Sequence, residues 1–294
     1  MNSNILKNYQ NFKIYFTFLM IWISIQFGNV VEDFIGYLLV ISIGILHGAN
    51  DLLILSVKEK VNFFNKKNLF VYLTVVLFCV LLFLIESYLT MIIFILISSY
   101  HFGEEHFNEE ICNNKWLDIV YFSSYGLFLF SILFYFSSFE VKKIMIELTG
   151  TYFEKSLIYI TFLISGILFI LLNTYLIIIK KINSIQFFKE LFYILLIAIV
   201  FANTSLILGF AVYFIFWHSM PSILNQIKFI SGDFTKKNIL YYFKKGIIYW
   251  IISILGLLIL YYFFKNTKLL NSIVFVILFA VTAPHIWVMY KMKS

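Results

Sequence analysis

The chain has 294 residues, of which 62% are hydrophobic and 13% are charged, with a net charge of +7 and a mean hydropathy of +0.93. A soluble domain of this length does not need so much apolar surface, so the composition excludes a water-soluble globular protein and indicates an integral membrane protein. All 22 basic residues are lysines. Basic membrane proteins carry such charge on cytoplasmic loops, so the positive charge does not indicate nucleic-acid binding.

Ten apolar segments of the chain are long enough to cross a membrane, for which a helix needs about 20 apolar residues. The third and fourth segments are separated only by residues 86–88, and the seventh and eighth only by residues 202–205. We therefore predict an all-α fold, a polytopic integral membrane helix bundle that forms a single domain, residues 1–294. The predicted spans are approximately 14–28, 34–55, 69–86, 88–104, 116–137, 156–179, 188–202, 204–227, 245–264 and 269–290.

The distribution of lysines predicts the orientation of these spans. If both termini lie in the cytoplasm, the cytoplasmic segments hold 17 lysines and the outer segments hold 5. Positive charge favours the cytoplasmic side of a membrane. We therefore predict an N-in, C-in topology for a multi-pass protein of the cell membrane.

Four of the five histidines lie within or at the end of predicted spans. They are His47, His101, His218 and His285, on the second, fourth, eighth and tenth spans, all of which run inward. Each lies in the cytoplasmic half, three of them about 10–15 Å from the inner charged layer at about 1.5 Å per residue. A single intramembrane histidine is often a hydrogen-bonding residue between helices. Four at one depth instead predict a metal site, because neutral imidazoles bind Zn, Cu, Fe or Ni.

The residue four positions after each of these histidines shares its helix face. In chain order these residues are Asp51, Glu105, Ser222 and Met289. A carboxylate so placed can accept the second ring N–H of a metal-binding histidine on a neighbouring helix. We predict that Asp51, Glu105 and Ser222 support the metal-binding histidines in this way. The alternative for the two acids is that they only mark helix ends near the cytoplasm.

The only two prolines of the chain accompany two of the histidines. Pro221 follows His218 by three residues, and Pro284 immediately precedes His285. Proline removes a helical hydrogen bond, and such breaks are tolerated in membranes where protein or a cavity satisfies the freed groups. We therefore expect the backbone to open locally beside both histidines.

Four sequence blocks together resemble a known family. The blocks are GILHGANDLL (residues 44–53), SSYHFGEEH (98–106), FWHSMPSILNQI (216–227) and TAPHIWVMYKM (282–292). Their order and content are similar to the bacteriorhodopsin-related-protein (Brp/Blh) family of membrane β-carotene 15,15′-dioxygenases. Members cut one carotenoid into two retinal molecules with iron and O₂. The resemblance runs from the second predicted span to the last.

The resemblance implies roles for individual residues. It makes His47, His101 and His218 ligands of an Fe(II) cofactor. The family often has another histidine four residues after the one at 218, where this chain has Ser222. His285 has the depth to be the fourth ligand. His106 stands where the family often has an acid, and it is a possible additional site residue.

The resemblance also implies substrates and partners. They are β-carotene and O₂, with membrane lipid around the protein and a retinal-binding rhodopsin as a possible acceptor of the product. A carotenoid needs a long apolar channel past the metal. Five aromatic residues flank the histidines and are candidates to line it, or alternatively pack the bundle: Tyr100, Phe102, Phe216, Trp217 and Trp287.

Other readings of the histidines fit less well. A di-iron desaturase or hydroxylase uses clustered histidine boxes, and this chain has neither the number nor the spacing. A metal-ion transporter would need polar residues through the full membrane depth, but the outer halves of the histidine-bearing spans are largely apolar. A retinal-binding opsin needs a lysine in the middle of a span. Cys79 and Cys112 are predicted not to pair and lack metal-type spacing, and nothing indicates a closed structural zinc site.

Overall fold

A computed structural model describes residues 2–62, 65–107, 111–112, 114–264 and 270–293 of the chain. In these ranges the protein is all-helical, with 89% of residues in helices and no strands, which confirms the predicted all-α fold. Lys265 and Lys268, which enter the lysine count on the outer side, lie outside the described residues.

The helices follow one another with short connections. The α-helices are α1 Asn2–Phe27, α2 Asn29–Leu39, α3 Ile45–Gly48, α4 Asp51–Glu59, α5 Lys66–Ile85, α6 Ser87–Phe107, α7 Lys115–Phe136, α8 Ser138–Thr149, α9 Lys155–Ile178, α10 Ser184–Asn203, α11 Leu206–Val212, α12 Met220–Ser231, α13 Lys236–Phe264 and α14 Leu270–Lys293. Two π-helices, Val40–Gly44 and Tyr213–Ser219, connect α2 to α3 and α11 to α12.

Seven helical segments of the described residues are long and apolar enough to cross a membrane. They are Asn29–Glu59, Lys66–Ile85, Lys115–Phe136, Lys155–Ile178, Ser184–Asn203, Leu206–Ser231 and Lys236–Ile259. The protein is therefore a multi-pass membrane protein. Large apolar side chains are exposed along most of these helices, as expected where lipid replaces water around the bundle.

Asparagine side chains begin several of these helices. Asn65 accepts a hydrogen bond from the backbone N–H of Lys67 at the start of α5, and Asn114 accepts from Trp116 and Leu117 at the start of α7. The first N–H groups of a helix have no partner within it, so such caps stabilise the helix start. The polar residues between the apolar segments thus fix where the helices begin.

The short helix α8 is a feature that the apolar pattern did not predict. It is amphipathic and too short to span a membrane. Its apolar residues Val141, Met145 and Leu148 are buried against Phe83 and Met91 of α5 and α6. The connection between α7 and α9 is therefore packed on the bundle.

The helix that carries His47 is broken where the sequence predicted a continuous span. The π-helix Val40–Gly44 precedes His47, and the backbone leaves helical geometry at Asn50, with φ −101° and ψ 12°. Irregular backbone at membrane depth is tolerated where protein satisfies its polar groups. Here the side chain of Gln226 donates to the carbonyl oxygen of His47 at 3.2 Å.

The two prolines differ in their effect. Pro221 lies in the first turn of α12, directly after the π-helix that contains His218. The hydroxyl of Tyr9 on α1 donates to the carbonyl oxygen of Phe216 in that π-helix. By contrast, α14 runs through Pro284 without interruption, so the expected opening beside His285 does not occur.

Close packing of α6 on α7 positions His101. A Cβ added to Gly103 would overlap the carbonyl oxygen of Phe122, and one added to Gly126 would overlap that of Ser99. Glycine is required at these crossings because any side chain would push the two helices apart. α7 also supplies the centre of the main apolar core.

Candidate metal centre

Four buried histidine rings meet inside the bundle. His47 follows the first π-helix, His101 lies on α6, His218 lies in the second π-helix and His285 lies on α14, with 1–4% of each residue exposed. Ring centroids are 4.4 Å apart for His47 and His285, 5.5 Å for His285 and His101, 4.9 Å for His101 and His218, and 5.2 Å for His218 and His47. Each ring therefore adjoins two of the others, and the four rings together form a closed four-ring circuit.

Three of the histidines have nitrogens close enough to hold one metal ion. His47, His101 and His285 each offer a ring nitrogen, and these nitrogens all lie within 4.8 Å of one another. The Nε2 atoms of His47 and His285 are 2.8 Å apart. His218 adjoins this group of three through its ring contacts with His47 and His101.

His285 is held by a carboxylate on another helix. Its Nδ1 lies 2.7 Å from Oδ1 of Asp51, and the hydroxyl of Tyr72 donates to Oδ2 of Asp51 at 3.0 Å. A carboxylate accepts a hydrogen bond, so Nδ1 of neutral His285 carries the proton. Its Nε2 then carries a lone pair, which is directed towards His47. This is the arrangement in which a histidine is prepared to bind a metal.

His47 is held by an amide and a tyrosine. Nε2 of Gln226 lies 3.4 Å from Nδ1 of His47. The hydroxyl of Tyr242 donates to Oε1 of Gln226 at 2.6 Å, which orients the amide group towards His47. Sequence reasoning missed Gln226, Tyr242 and Tyr72. Of these three residues, only Gln226 could have been identified from the sequence, because it continues the four-residue spacing from His218 through Ser222.

His101 is the histidine whose nitrogens lack partners. Within the described part of the chain, neither ring nitrogen of His101 has a hydrogen bond, and neither does Nδ1 of His218. The nearest carboxylate to His101 is Glu104, whose Oε2 lies 3.9 Å from Nδ1, too far for a hydrogen bond. The hydroxyl of Tyr100 donates to the other oxygen of Glu104 at 2.8 Å.

The predicted supporting residues Glu105 and Ser222 have other neighbours. Glu105 lies 3.1 Å from Nζ of Lys293 and accepts a hydrogen bond from Asn225 at 3.3 Å. Ser222 is fully buried and donates to the sulfur of Met289 at 3.7 Å. The two residues that lie four positions after His218 and His285 therefore contact each other.

His106 lies apart from the four-ring circuit. Its Nε2 is 2.6 Å from Oε2 of Glu190, and its ring stacks on Tyr125 with centroids 4.6 Å apart. It therefore belongs to a separate polar group between α6, α7 and α10.

The five flanking aromatic residues separate into one neighbour of the histidines and four that pack elsewhere. The ring of Phe102 lies 4.7 Å from that of His218. Phe216 packs on Phe16, and the indole of Trp217 donates to Thr17 at 3.1 Å. Tyr100 is bonded to Glu104, and Trp287 lies beneath the ammonium group of Lys291.

Phe214, which sequence reasoning missed, is a second aromatic neighbour of the histidines. Its ring lies 5.6 Å from that of His218 at an interplanar angle of 18°. It also lies 6.4 Å from the ring of His47. Its position in the π-helix, four residues before His218, was the available signal.

The donor set suits a borderline transition metal. Buried polar atoms almost always have a partner. The lack of a hydrogen-bond partner at the nitrogens of His101 and His218 therefore indicates that a ligand binds between the rings. Both cysteines are free, and burial raises the pKa of the Cys112 thiol to about 12. Among the described residues, the set within 4.8 Å contains only imidazoles, which suit Fe, Zn, Cu or Ni better than Mg or Ca.

The fold and the site together define a class, a multi-pass membrane protein with a buried histidine cluster between its helices. A sequence model of the beta-carotene 15,15′-dioxygenase family matches residues 38–293, which include all four histidines. The chain belongs to this family, as the four sequence blocks predicted. Membership indicates beta-carotene dioxygenase activity, with beta-carotene and O₂ as substrates. No curated protein and no solved structure matches the chain.

Proposed function

We propose that the protein is an Fe(II)-dependent β-carotene 15,15′-dioxygenase that converts one β-carotene and one O₂ into two molecules of retinal. Each oxygen atom becomes one aldehyde oxygen, so breaking the central double bond needs no other reductant. Family membership supports the substrate class. The observation that carries the metal dependence is the closed circuit of four buried imidazole rings on separate helices.

His47, His101, His218 and His285 are the proposed ligands. They lie on four segments distant in sequence, so the folded bundle is required to bring them together. When bound, Fe(II) would supply the site where O₂ is activated beside the double bond. Four neutral nitrogens keep the full positive charge of the ion and leave coordination positions for other ligands.

The residues around the histidines hold the rings and their protons. Asp51 keeps the proton of His285 on Nδ1, so that Nε2 is free to bind. Gln226, oriented by Tyr242, fixes the ring of His47. Buried Phe102 and Phe214 cover His218 and exclude water from that side.

The membrane setting suits an apolar substrate. β-Carotene dissolves in the bilayer, so a site at membrane depth receives it without exposing it to water. Phe102 and Phe214 are the aromatic residues best placed to contact the polyene at the centre. The product would leave through lipid, and a retinal-binding rhodopsin is the proposed acceptor.

The proposed topology has ten spans across the cell membrane, with both termini in the cytoplasm. Beyond the seven apolar segments, the helices α1, α6 and α14 have 26, 21 and 24 residues, enough to cross a bilayer. The lysine distribution supports the same count. We further propose that the chain forms one domain.

Expression in bacteria that make β-carotene tests the activity. Cells with the wild-type chain should lose the carotenoid colour and accumulate retinal as the only cleavage aldehyde. A longer or shorter apocarotenal would contradict central cleavage, and unchanged carotenoid in cells that contain the iron-loaded protein would contradict the proposed activity.

A further inference from the structure

The first helix of the chain contacts the π-helix that contains His218. This helix, α1, ends before residue 38, where the match to the family begins. Its residue Tyr9 is buried, and the hydroxyl of Tyr9 donates to the carbonyl oxygen of Phe216, two residues before His218. A part of the chain outside the family match is therefore bonded to the backbone beside a histidine of the candidate metal centre.

The carbonyl oxygen of Phe216 needs a donor from outside its own helix. The backbone N–H of Met220 donates to Ile215, five residues earlier, which is the spacing of a π-helix. The next N–H in this spacing would reach Phe216, but it would belong to Pro221, and proline has no N–H. A buried carbonyl without a donor is costly. The hydroxyl of Tyr9 supplies the donor that the π-helix and the proline together remove.

A second contact from α1 holds the next residue of the π-helix. The indole N–H of Trp217 donates to the hydroxyl oxygen of Thr17 at 3.1 Å. That hydroxyl donates its own proton to the carbonyl oxygen of Lys13 at 2.7 Å, so its oxygen is free to accept from the indole. The ammonium group of Lys13 also lies 4.2 Å from the indole ring. Both Trp217 and Thr17 are buried, so water does not compete for these bonds.

His218 depends on its backbone for its position more than two of the other histidines do. Asp51 lies at hydrogen-bond distance from the ring of His285, and Gln226 holds the ring of His47. Among the described residues, Nδ1 of His218 has no hydrogen-bond partner. The direction of its ring is therefore set by the π-helix and by the packing of neighbouring rings.

We propose that α1 positions His218 for metal binding through the hydroxyl groups of Tyr9 and Thr17. The two hydroxyls hold the two residues that precede His218 and so keep the π-helix in the geometry that brings its ring to the other three. π-Helices are rare and occur mostly as single turns within α-helices, so this one needs support from a neighbouring helix. The inference rests on the proposed four-histidine metal centre and adds to it residues that the family match does not include.

Binding of Co(II) to the purified protein in detergent tests this inference. Co(II) is an air-stable probe of an Fe(II) site, and its visible absorption depends on the number and geometry of its ligands. Tyr9→Phe removes only the hydroxyl and should weaken Co(II) binding about tenfold, the lower end of the usual effect of residues that orient metal ligands. The absorption spectrum should change as well, because His218 is displaced. Thr17→Val should act in the same direction, whereas Thr17→Ser keeps the hydroxyl and should bind Co(II) as the wild type does.

Tyr121→Phe is the matched control. The hydroxyl of buried Tyr121 donates to Asn173 at 3.1 Å and joins α7 to α9 instead of the π-helix. Both tyrosine variants lose a buried hydrogen bond between helices, so the midpoint of thermal unfolding without metal should fall in both. The rise of the midpoint on addition of Co(II) should be smaller than in the wild type only for Tyr9→Phe. If Tyr9→Phe does not fold, Thr17→Val against Thr17→Ser decides the matter.

Two results would overturn the inference and leave the metal centre in place. One is a wild-type affinity and spectrum in both Tyr9→Phe and Thr17→Val, and the other is an equal loss of Co(II) affinity in Tyr121→Phe. A wild-type protein that takes up no Co(II) would instead contradict the proposed metal centre, and this inference with it.

Discussion

Nδ1 of His285 lies 2.7 Å from Oδ1 of Asp51, although 234 positions separate the two residues in the chain. This contact joins the last helix to the first residue of α4, directly after the turn that follows His47. It also fixes which nitrogen of His285 faces the other histidines. The carboxylate is itself held by the hydroxyl of Tyr72, so α5 takes part in positioning the ring.

Asp51→Asn should lower metal affinity about 10- to 100-fold, the usual effect of losing the partner of a metal-binding histidine. The amide loses the charge-assisted bond and no longer selects one tautomer of His285. Iron content after titration with Fe(II) under anaerobic conditions measures the effect. Glu105→Gln is the matched control, because Glu105 contacts Lys293 and Asn225 instead of a histidine. Equal iron affinity in both variants and the wild type would show that Asp51 is only a charge at a helix end.

Gly126→Ala should destabilise the protein by about 1–3 kcal/mol or more, because a methyl group at this position has no room beside the carbonyl of Ser99. Separation of α6 from α7 would also displace His101. Gly256→Ala is the control, since a Cβ there meets nothing within 4 Å, and alanine should stabilise the helix by about 0.5–1 kcal/mol. The midpoint of thermal unfolding in detergent checks both. A Gly126→Ala protein as stable as Gly256→Ala would contradict the packing of these helices.

The proposed topology predicts the side of the membrane on which reporters appear. Fusions at Lys66 and Lys237 should report the cytoplasm, because these lysines lie in the first turns of α5 and α13, on the proposed inner side. A fusion at Lys142 on α8 should report the outside. An outer signal from a fusion at Asn238 would rule out ten spans with both termini inside.

Much of the fold was predictable because lipid imposes simple rules. The apolar runs fix where helices must lie, and the break predicted at residues 86–88 corresponds to the single residue, Glu86, that separates α5 from α6. The broken helix around His47 was not predictable. Its geometry depends on Gln226, which arrives from α12 and satisfies the carbonyl of His47. No local pattern in residues 40–50 encodes that contact.

The candidate site was likewise predictable in part. Depth on inward-running spans suggested four histidines, and helical spacing suggested Asp51. Spacing alone could not distinguish Glu104 from Glu105, because the choice depends on how α6 is rotated against its neighbours. That rotation is set by the contacts of Gly103 and Gly126 with α7. Tyr72 and Tyr242 had no signal, since tyrosines on apolar helices are common in this chain.

The most direct test of the central claim is the iron content of His101→Ala compared with that of His106→Ala. His101 has no hydrogen bond to lose through either ring nitrogen, so its removal should leave the fold intact and remove only a ligand. His106 is the matched control on the same helix, bonded to Glu190. The proposal predicts about one iron per chain in His106→Ala and strongly reduced iron in His101→Ala and His285→Ala. Full iron in His101→Ala or His285→Ala, together with loss of iron in His106→Ala, would contradict it.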